Sequence, residues 1–334
     1  MLSKSISVHN RLLNENEFEF GKLKTLYIGG GTPSLWGEEG FNFLLNLLEK
    51  NNIFLENNVE FTIELNPGSY QKNELSKIKD LGVNRISVGV QSFSNEVLKL
   101  LDRVHNIDDV LITLENIKNL DFNFSVDFML GLPKNGNIKR NIKNEVDQIL
   151  KYNPNHLSAY ILTVAKTYVH YNNLPDEDFT SDEYLLLAEY LKNFGYQHYE
   201  VSNFAKSGYE SIHNLQYWHT NSVAALGPSA TGFFNVGETG IRYKWKTNDL
   251  AEYSIEKISK AELKMEKFFL GIRLNLGINL LDFIEPKYSV EVSNFIDLLN
   301  KQGMVQRASL RNFSLSSKGF LCSDSIITKF LTYF

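Results

Sequence analysis

The chain has 334 residues, 43% of them apolar, with 23 Phe and 16 Tyr, enough to bury a large core and to build more than one domain. A formal net charge of −5 lacks the basic excess of a general nucleic-acid binder, and no run reaches the about 18 apolar residues that cross a bilayer. The opening stretch MLSKSISVHNRLLNENEF has no continuous apolar leader segment, so a cytoplasmic protein is expected. The single cysteine, Cys322, can neither close a disulfide within the chain nor hold a metal alone.

Over the first two hundred residues, strand-like runs at 25–28, 59–65, 85–90, 123–130, 156–162 and 197–201 alternate with helical patterns. FNFLLNLLEK, residues 41–50, sets Phe41, Phe43, Leu44, Leu47 and Leu48 on one stripe. DDVLITLENIKNL repeats the spacing with Val110, Leu111, Leu114 and Ile117. TSDEYLLLAEYLKNFG is expected to open with a capping box, Thr180 and Glu183, and to close on Gly195. Strands at this spacing imply parallel pairing with helices outside, as a barrel, a partial barrel or an open sheet. Residues 204–240, rich in Gly, Asn, Ser and aromatics, suggest a long ordered loop region, and 248–274 a return to helix. Helix 289–302, Gly303, two short strands within MVQRASLRNFSL and a helix from Ser316 follow the order of a winged-helix-like module. The expected division is therefore 1–203, 204–247 and 248–334.

Chemistry gathers where strands end. LYIGGGTPSL, residues 26–35, follows the first run, and glycines there let backbone groups touch a ligand. It is neither G-x-G-x-x-G nor a phosphate loop, since no Lys-Ser/Thr follows. Glu64 and Asn66 end the second run, Gln91 the third, Asp127 sits in the fourth, and Arg103 and His105 follow in LLDRVH. Ligands bind at this end of parallel α/β sheets.

The segments YIGGGTPS, ELNPG, RISVGVQSF with Leu98, Leu101, Arg103 and His105, DFMLGLP, HLSAY and YEVSNFAKSGYESIHNLQYW together resemble the radical S-adenosylmethionine proteins. The likeness is to the branch that holds oxygen-independent coproporphyrinogen III oxidase and the haem chaperones, and it runs collinearly from about residue 20 to the end. It implies an α/β fold, a partial (βα)6 barrel missing its first strand, with a C-terminal helical or winged-helix-like domain. It implies S-adenosylmethionine held by Gly30, Gly31, Thr32, Glu64, Gln91, Arg103 and Asp127. The pattern HNLQYW, residues 213–218, resembles the haem-chaperone branch and makes His213 the candidate haem-iron ligand, with haem and a haem-acceptor protein as partners. His105, His198 and His219 are its rivals, and Phe204, Phe233, Phe234, Arg242 and Lys244 are candidate neighbours of the haem.

The resemblance also implies a [4Fe–4S] cluster on three thiolates of a C-x-x-x-C-x-x-C loop. That motif is absent from this sequence, so the chain as written is expected not to cleave S-adenosylmethionine reductively. Two explanations stand side by side: a start assigned too late or a lost 5′ end, and a degenerate relative that no longer needs the cluster. In either case residues 25–28 would form a bare sheet edge, open to pairing with other chains. The runner-up function is a coproporphyrinogen oxidase, or a truncated inactive relative.

Overall fold

The computed structural model describes residues 2–16, 18–19, 21–71, 73–133, 140–247 and 252–334. In chain order the elements are α1 (Leu2–Glu15), β1 (Leu23–Ile28), α2 (Gly37–Lys50), β2 (Leu55–Leu65), α3 (Glu74–Asp80), β3 (Arg85–Gln91), α4 (Asn95–Leu100), α5 (Ile107–Asn119), β4 (Asn123–Leu130), α6 (Ile142–Leu150), β5 (His156–Ile161), α7 (Glu177–Lys192), β6 (Gln197–Glu200) and β7 (Asn203–Ala205). There follow α8 (Ile212–Trp218), β8 (Thr231–Val236), β9 (Thr239–Trp245), β10 (Tyr253–Ile258), α9 (Lys260–Gly271), α10 (Ser289–Lys301), β11 (Val305–Ser309), β12 (Asn312–Leu315), α11 (Ser317–Leu321) and α12 (Ser323–Phe330). They form two compact units: residues 24–45 with 57–211, and residues 1–23, 46–56 and 212–334.

The first unit carries a seven-stranded sheet in the order β1-β2-β3-β4-β5-β7-β6, curled into a partial barrel. β2, β3, β4 and β5 pair in parallel, in register Glu64–Ser87–Ser125–His156. The expected sixth parallel strand is β6, but β5 does not pair with it. β7, at the start of the stretch expected to be loop, turns back and pairs antiparallel with both β5 and β6. The Glu200 carboxyl holds that turn by accepting from the Ser202 amide at 3.2 Å.

Strand alternation separates two faces. Phe61, Ile63, Leu65, Ile86, Val88, Val90, Phe124, Val126, Phe128, Leu130, Leu157 and Ala159 are buried on one. The other carries Thr62, Glu64, Arg85, Ser87, Ser125, Asp127, His156 and Ser158, side by side in the register of the ladders. A parallel sheet normally packs apolar residues on both faces. A face of serines, carboxylates and a histidine is therefore a polar lining, most of it buried, and not an apolar core.

The helices follow their stripes. Phe41, Leu44, Leu47 and Leu48 are buried on α2 while Phe43 is exposed, and Val110, Leu114 and Ile117 are buried on α5. Helix α7 starts one turn earlier than the Thr180–Glu183 pair suggests. Asp176 caps it by accepting from the Phe179 amide at 2.8 Å. The Gly195 close is as expected, with φ +83° and the Tyr196 amide bonded to Leu191 O.

In the second unit α1 packs Leu12 and Leu13 against Phe234, Tyr243 and Trp245 of β8 and β9. Part of the helix expected over 248–274 is strand: Tyr253–Ile258 pairs antiparallel with β9, and helix begins only at Lys260, behind a Ser259–Glu262 capping box. The hairpin partner overrides a short, weakly periodic stretch. Residues 248–251, where that helix and the expected boundary would begin, lie outside the described residues. Helix α10, the β11–β12 hairpin, α11 and α12 reproduce the winged-helix-like order. Among the described residues no helix is long and apolar enough to cross a membrane.

Candidate functional site

At the carboxyl ends of the strands, carboxylates from neighbouring elements hold the loops by their backbone amides. After β1, Gly30 N donates to Glu64 Oε2 at 2.8 Å, while Glu64 Oε1 accepts from the Tyr27 hydroxyl at 2.7 Å. After β3, Ser92 Oγ and Phe93 N both donate to Glu145 Oε2 of α6, at 2.7 and 2.8 Å, and Arg140 Nε donates to its other oxygen at 2.7 Å. After β4, Gly131 N donates to Glu183 Oε2 of α7 at 3.0 Å. Burial, with Glu64 beside it, pushes the Tyr27 phenol far up, so it stays a donor.

The glycine loop itself is open. Gly30 and Gly31 have φ of +81° and +68°, and a Cβ placed on either would meet nothing within 4 Å. Left-handed backbone explains why glycine stands there, and the open space around it is what a ligand approaching the peptide requires. Thr32 follows, its carbonyl accepting from Leu35 N at 3.1 Å.

Glu64, Ser87 and Asp127 are linked across three strands. Glu64 and Ser87 are register partners, and Ser87 Oγ lies 2.9 and 3.1 Å from the two Asp127 oxygens. Desolvation pushes Asp127 up to about 6, against hydrogen bonds from Ser87 and Ser158 that pull it down. Gln91 sits at the exit of β3 with φ +68°, where the β3–β4 register skips between Val88 and Gln91. A Cβ on Gly89 would stand 3.0 Å from Asn66 Oδ1 and 3.1 Å from Gln91 Nε2, so Gly89 gives these two amides room. Arg103 lies exposed on the turn after α4, placed by a backbone bond from its amide to Leu98 O at 2.9 Å. The structure thus joins Gly30, Glu64 and Asp127 through hydrogen bonds and ladder register, sets Gln91 beside Asn66, and leaves Arg103 outside this bonded group.

His213 belongs to the other unit, on the short helix α8. It is half-buried and meets the Tyr217 ring edge-on, with centroids 5.3 Å apart. His198 stacks on Phe204 at 4.1 Å, shares a 3.1 Å contact with the Tyr184 hydroxyl, and burial pushes it down to about 4. His105 is buried with Nε2 3.4 Å from Val90 O. His219 is exposed. Among the expected haem neighbours, Phe204 and Phe234 are core residues, and Arg242 is bound bidentately by Glu266 and again by Glu256.

Ser87, Ser125, Ser158, Glu145 and Glu183 were not anticipated as site residues. The signal for the serines was present in NFSVDFML, where Ser125 and Asp127 alternate with buried Phe124, Val126 and Phe128. Glu145 and Glu183 carry no such signal, because their partners lie about fifty residues away in the chain.

The fold and this lining define a radical S-adenosylmethionine type of protein, and the model of the Radical SAM superfamily matches residues 8–143. The chain is similar to the haem chaperone HemW of Lactococcus lactis subsp. lactis (strain IL1403), 32% identical over 94% of this chain and 86% of that protein. It is 30% identical to HemW of Bacillus subtilis (strain 168), over 92% of this chain and 86% of that protein. Its fold matches the radical SAM enzyme coproporphyrinogen III oxidase (HemN) from Escherichia coli with a TM-score of 0.78 at 20% identity, covering 100% of this chain and 82% of that one. The chain belongs to the HemW/HemN-like family of the radical S-adenosylmethionine superfamily.

Membership implies S-adenosylmethionine and a [4Fe–4S] cluster. The open glycine cradle beside Glu64, and Asp127 on the lining, fit the first. The residues of this sequence do not fit the second, because three thiolates are needed and the sequence holds one cysteine, Cys322.

Proposed function

We propose that this protein binds haem and passes it to an acceptor protein, with His213 as the residue that meets the haem iron. The observation that carries this reading is HNLQYW, folded as the helix that sets His213 against Tyr217, in a chain similar to haem chaperones over 94% of its length. Imidazole is a common axial ligand, and an aromatic neighbour suits the edge of an apolar macrocycle.

We also propose that the first unit binds S-adenosylmethionine. Gly30 and Gly31 offer their peptide groups without side chains in the way. Glu64 keeps a free lone pair on each oxygen beyond its bonds to Tyr27 and Gly30, enough to accept from an ammonium. Asp127 suits ribose hydroxyls, and Gln91, Thr32 and Arg103 suit the carboxylate end. S-adenosylmethionine, when bound, supplies an activated sulfonium. This chain's own residues bind and orient it, and no step through a cluster is assigned to them. Decarboxylation of coproporphyrinogen is the lesser reading, since likeness at 20% identity is a likeness of fold.

Haem titration followed in the Soret band tests the first proposal. His213→Ala is expected to weaken binding at least tenfold, while His219→Ala, at an exposed position, leaves it within twofold. Equal titration curves for the two variants would remove the reason for choosing His213.

A further inference from the structure

The end of β3 is not plain strand. Its ladder with β4 pairs Val88 with Val126 and next pairs Gln91 with Phe128, so β3 carries an extra residue there. The Ser92 amide donates back to Val90 O at 2.8 Å, which closes a γ-turn centred on Gln91, whose φ is +68°. This is the rare, strained hand of the turn, and glycine is the residue that takes it without steric cost. A glutamine stays there only if its surroundings hold the turn shut.

Glu145 supplies the hold. One of its oxygens accepts from Ser92 Oγ at 2.7 Å and from Phe93 N at 2.8 Å, on the two residues that follow the strained one. The other accepts from Arg140 Nε at 2.7 Å, and the Arg140 guanidinium lies 4.7 Å from the centre of the Phe128 ring. Phe128 is the ladder partner of Gln91, so these contacts close a circuit around the turn. Gln91, Ser92 and Glu145 are buried, and the Arg140 side chain is only 9% exposed. Among the described residues, Arg140 Nη1 and Nη2 are buried without a hydrogen-bond partner. The unused donors and the γ-turn both cost stability, and both costs fall at one point, the backbone that carries the Gln91 side chain. A Cβ on Gly89 would stand 3.1 Å from Gln91 Nε2 and 3.0 Å from Asn66 Oδ1, so the turn brings the glutamine amide over Gly89 beside that of Asn66. Strand alternation puts Gly89 on the face of Ser87, the polar lining.

We propose that Glu145, paired with Arg140, is the positioning residue of the S-adenosylmethionine site: it holds Gln91 in the strained γ-turn and so fixes where the glutamine amide meets the ligand. The role toward the ligand rests on the proposed binding of S-adenosylmethionine, whereas the hold on the turn does not.

Amide hydrogen exchange on the full chain tests the hold. The Ser92 amide bonds to Val90 O and not to Glu145, so it reports the turn itself. Glu145→Ala is expected to speed its exchange by about tenfold or more, while the Gly131 amide, held by Glu183, stays within about twofold. Glycine accepts a positive φ, so in a Gln91→Gly background Glu145→Ala should change Ser92 exchange by less than about threefold. Three results overturn the hold: Ser92 exchange unchanged within about twofold, equal acceleration at Gly131, or the same acceleration in the glycine background. Should Glu145→Ala not fold, Ser92→Ala takes its place. It removes one of the two grips, leaves Arg140 on Glu145, and should speed exchange of the residue 92 amide by about threefold or more, with less than about twofold overturning the hold. For the ligand, calorimetry with S-adenosylmethionine should show the variant that folds binding about tenfold more weakly than wild type, and the same substitution costing less than about twofold once Gln91 is glycine. Equal losses in both backgrounds overturn the positioning role. Absence of binding to the wild type removes the S-adenosylmethionine reading and the positioning role with it, while exchange at Ser92 still judges the hold on the turn.

Discussion

Gly29→Ala is the sharpest probe of the glycine loop. Gly29 lies outside the left-handed region, so alanine brings no backbone strain, only a methyl group. That methyl would stand 2.6 Å from Tyr27 Cε1, 2.7 Å from Glu64 Oε1 and 2.8 Å from Glu64 Cδ. All three distances are shorter than real contacts of a Cβ, so the Tyr27–Glu64 pair must move. The two side chains are bonded to each other at 2.7 Å, and Glu64 also holds Gly30 N at 2.8 Å, so moving one disturbs the other. Hydrogen bonds to a charged acceptor contribute about 1.5–3 kcal/mol. Losing the Gly30 bond at about 2 kcal/mol corresponds to about 30-fold faster amide exchange at Gly30, since 1.4 kcal/mol is tenfold. Hydrogen exchange on the full chain reads this directly, and calorimetry with S-adenosylmethionine should show weaker binding in parallel. Gly21→Ala, whose methyl would meet nothing within 4 Å, serves as the control. Gly30 exchange unchanged within twofold in Gly29→Ala would refute the view that Glu64 sets this loop.

Four further outcomes are expected. Because burial keeps Asp127 protonated until pH passes about 6, its carboxylate becomes available as pH rises, and affinity for S-adenosylmethionine should be about tenfold weaker at pH 5 than on the plateau above 7. Ser87→Ala removes a bond of 2.9 Å that favours the ionised form, so the midpoint of that pH profile should move up by about 1–2 units. Arg85 and Glu60 form a buried ion pair at 3.9 Å, and Arg85→Leu, which removes the buried cation facing Glu60, should cost about 3–5 kcal/mol in urea unfolding, partly restored by adding Glu60→Leu. Tyr243→Phe leaves the Ala225 amide, which donates at 2.7 Å, and His9 Nε2, at 2.6 Å, without the hydroxyl they share, so thermal unfolding followed by tryptophan fluorescence should report a loss of about 3 kcal/mol.

The parallel strands were legible because each carries a short run of β-prone apolar residues set between helical patterns, and Asn123–Leu130 matches its expected bounds at both ends. The antiparallel return of β7 was not, since three residues, Asn203 to Ala205, give too short a pattern to separate from loop. Tyr253–Ile258 was missed because its strand identity comes from pairing with β9, a tertiary fact. Thr180 and Glu183 have the spacing of a capping box, yet Asp176 takes the cap and leaves Glu183 for Gly131. Of the lining, the residues at strand tips could be named from sequence. Who holds whom could not, because Gly30 with Glu64, and Ser87 with Asp127, pair across thirty-four and forty residues.

The glutamates that grip Gly30, Phe93 and Gly131 have a thermodynamic consequence. These loops are tied to neighbouring strands and helices before any small molecule arrives, so little backbone freedom is left to surrender on capture. Association should then resemble a key entering a stiff lock: a modest entropic penalty, an enthalpy-led signature, and selectivity expressed in how slowly a well-matched guest departs.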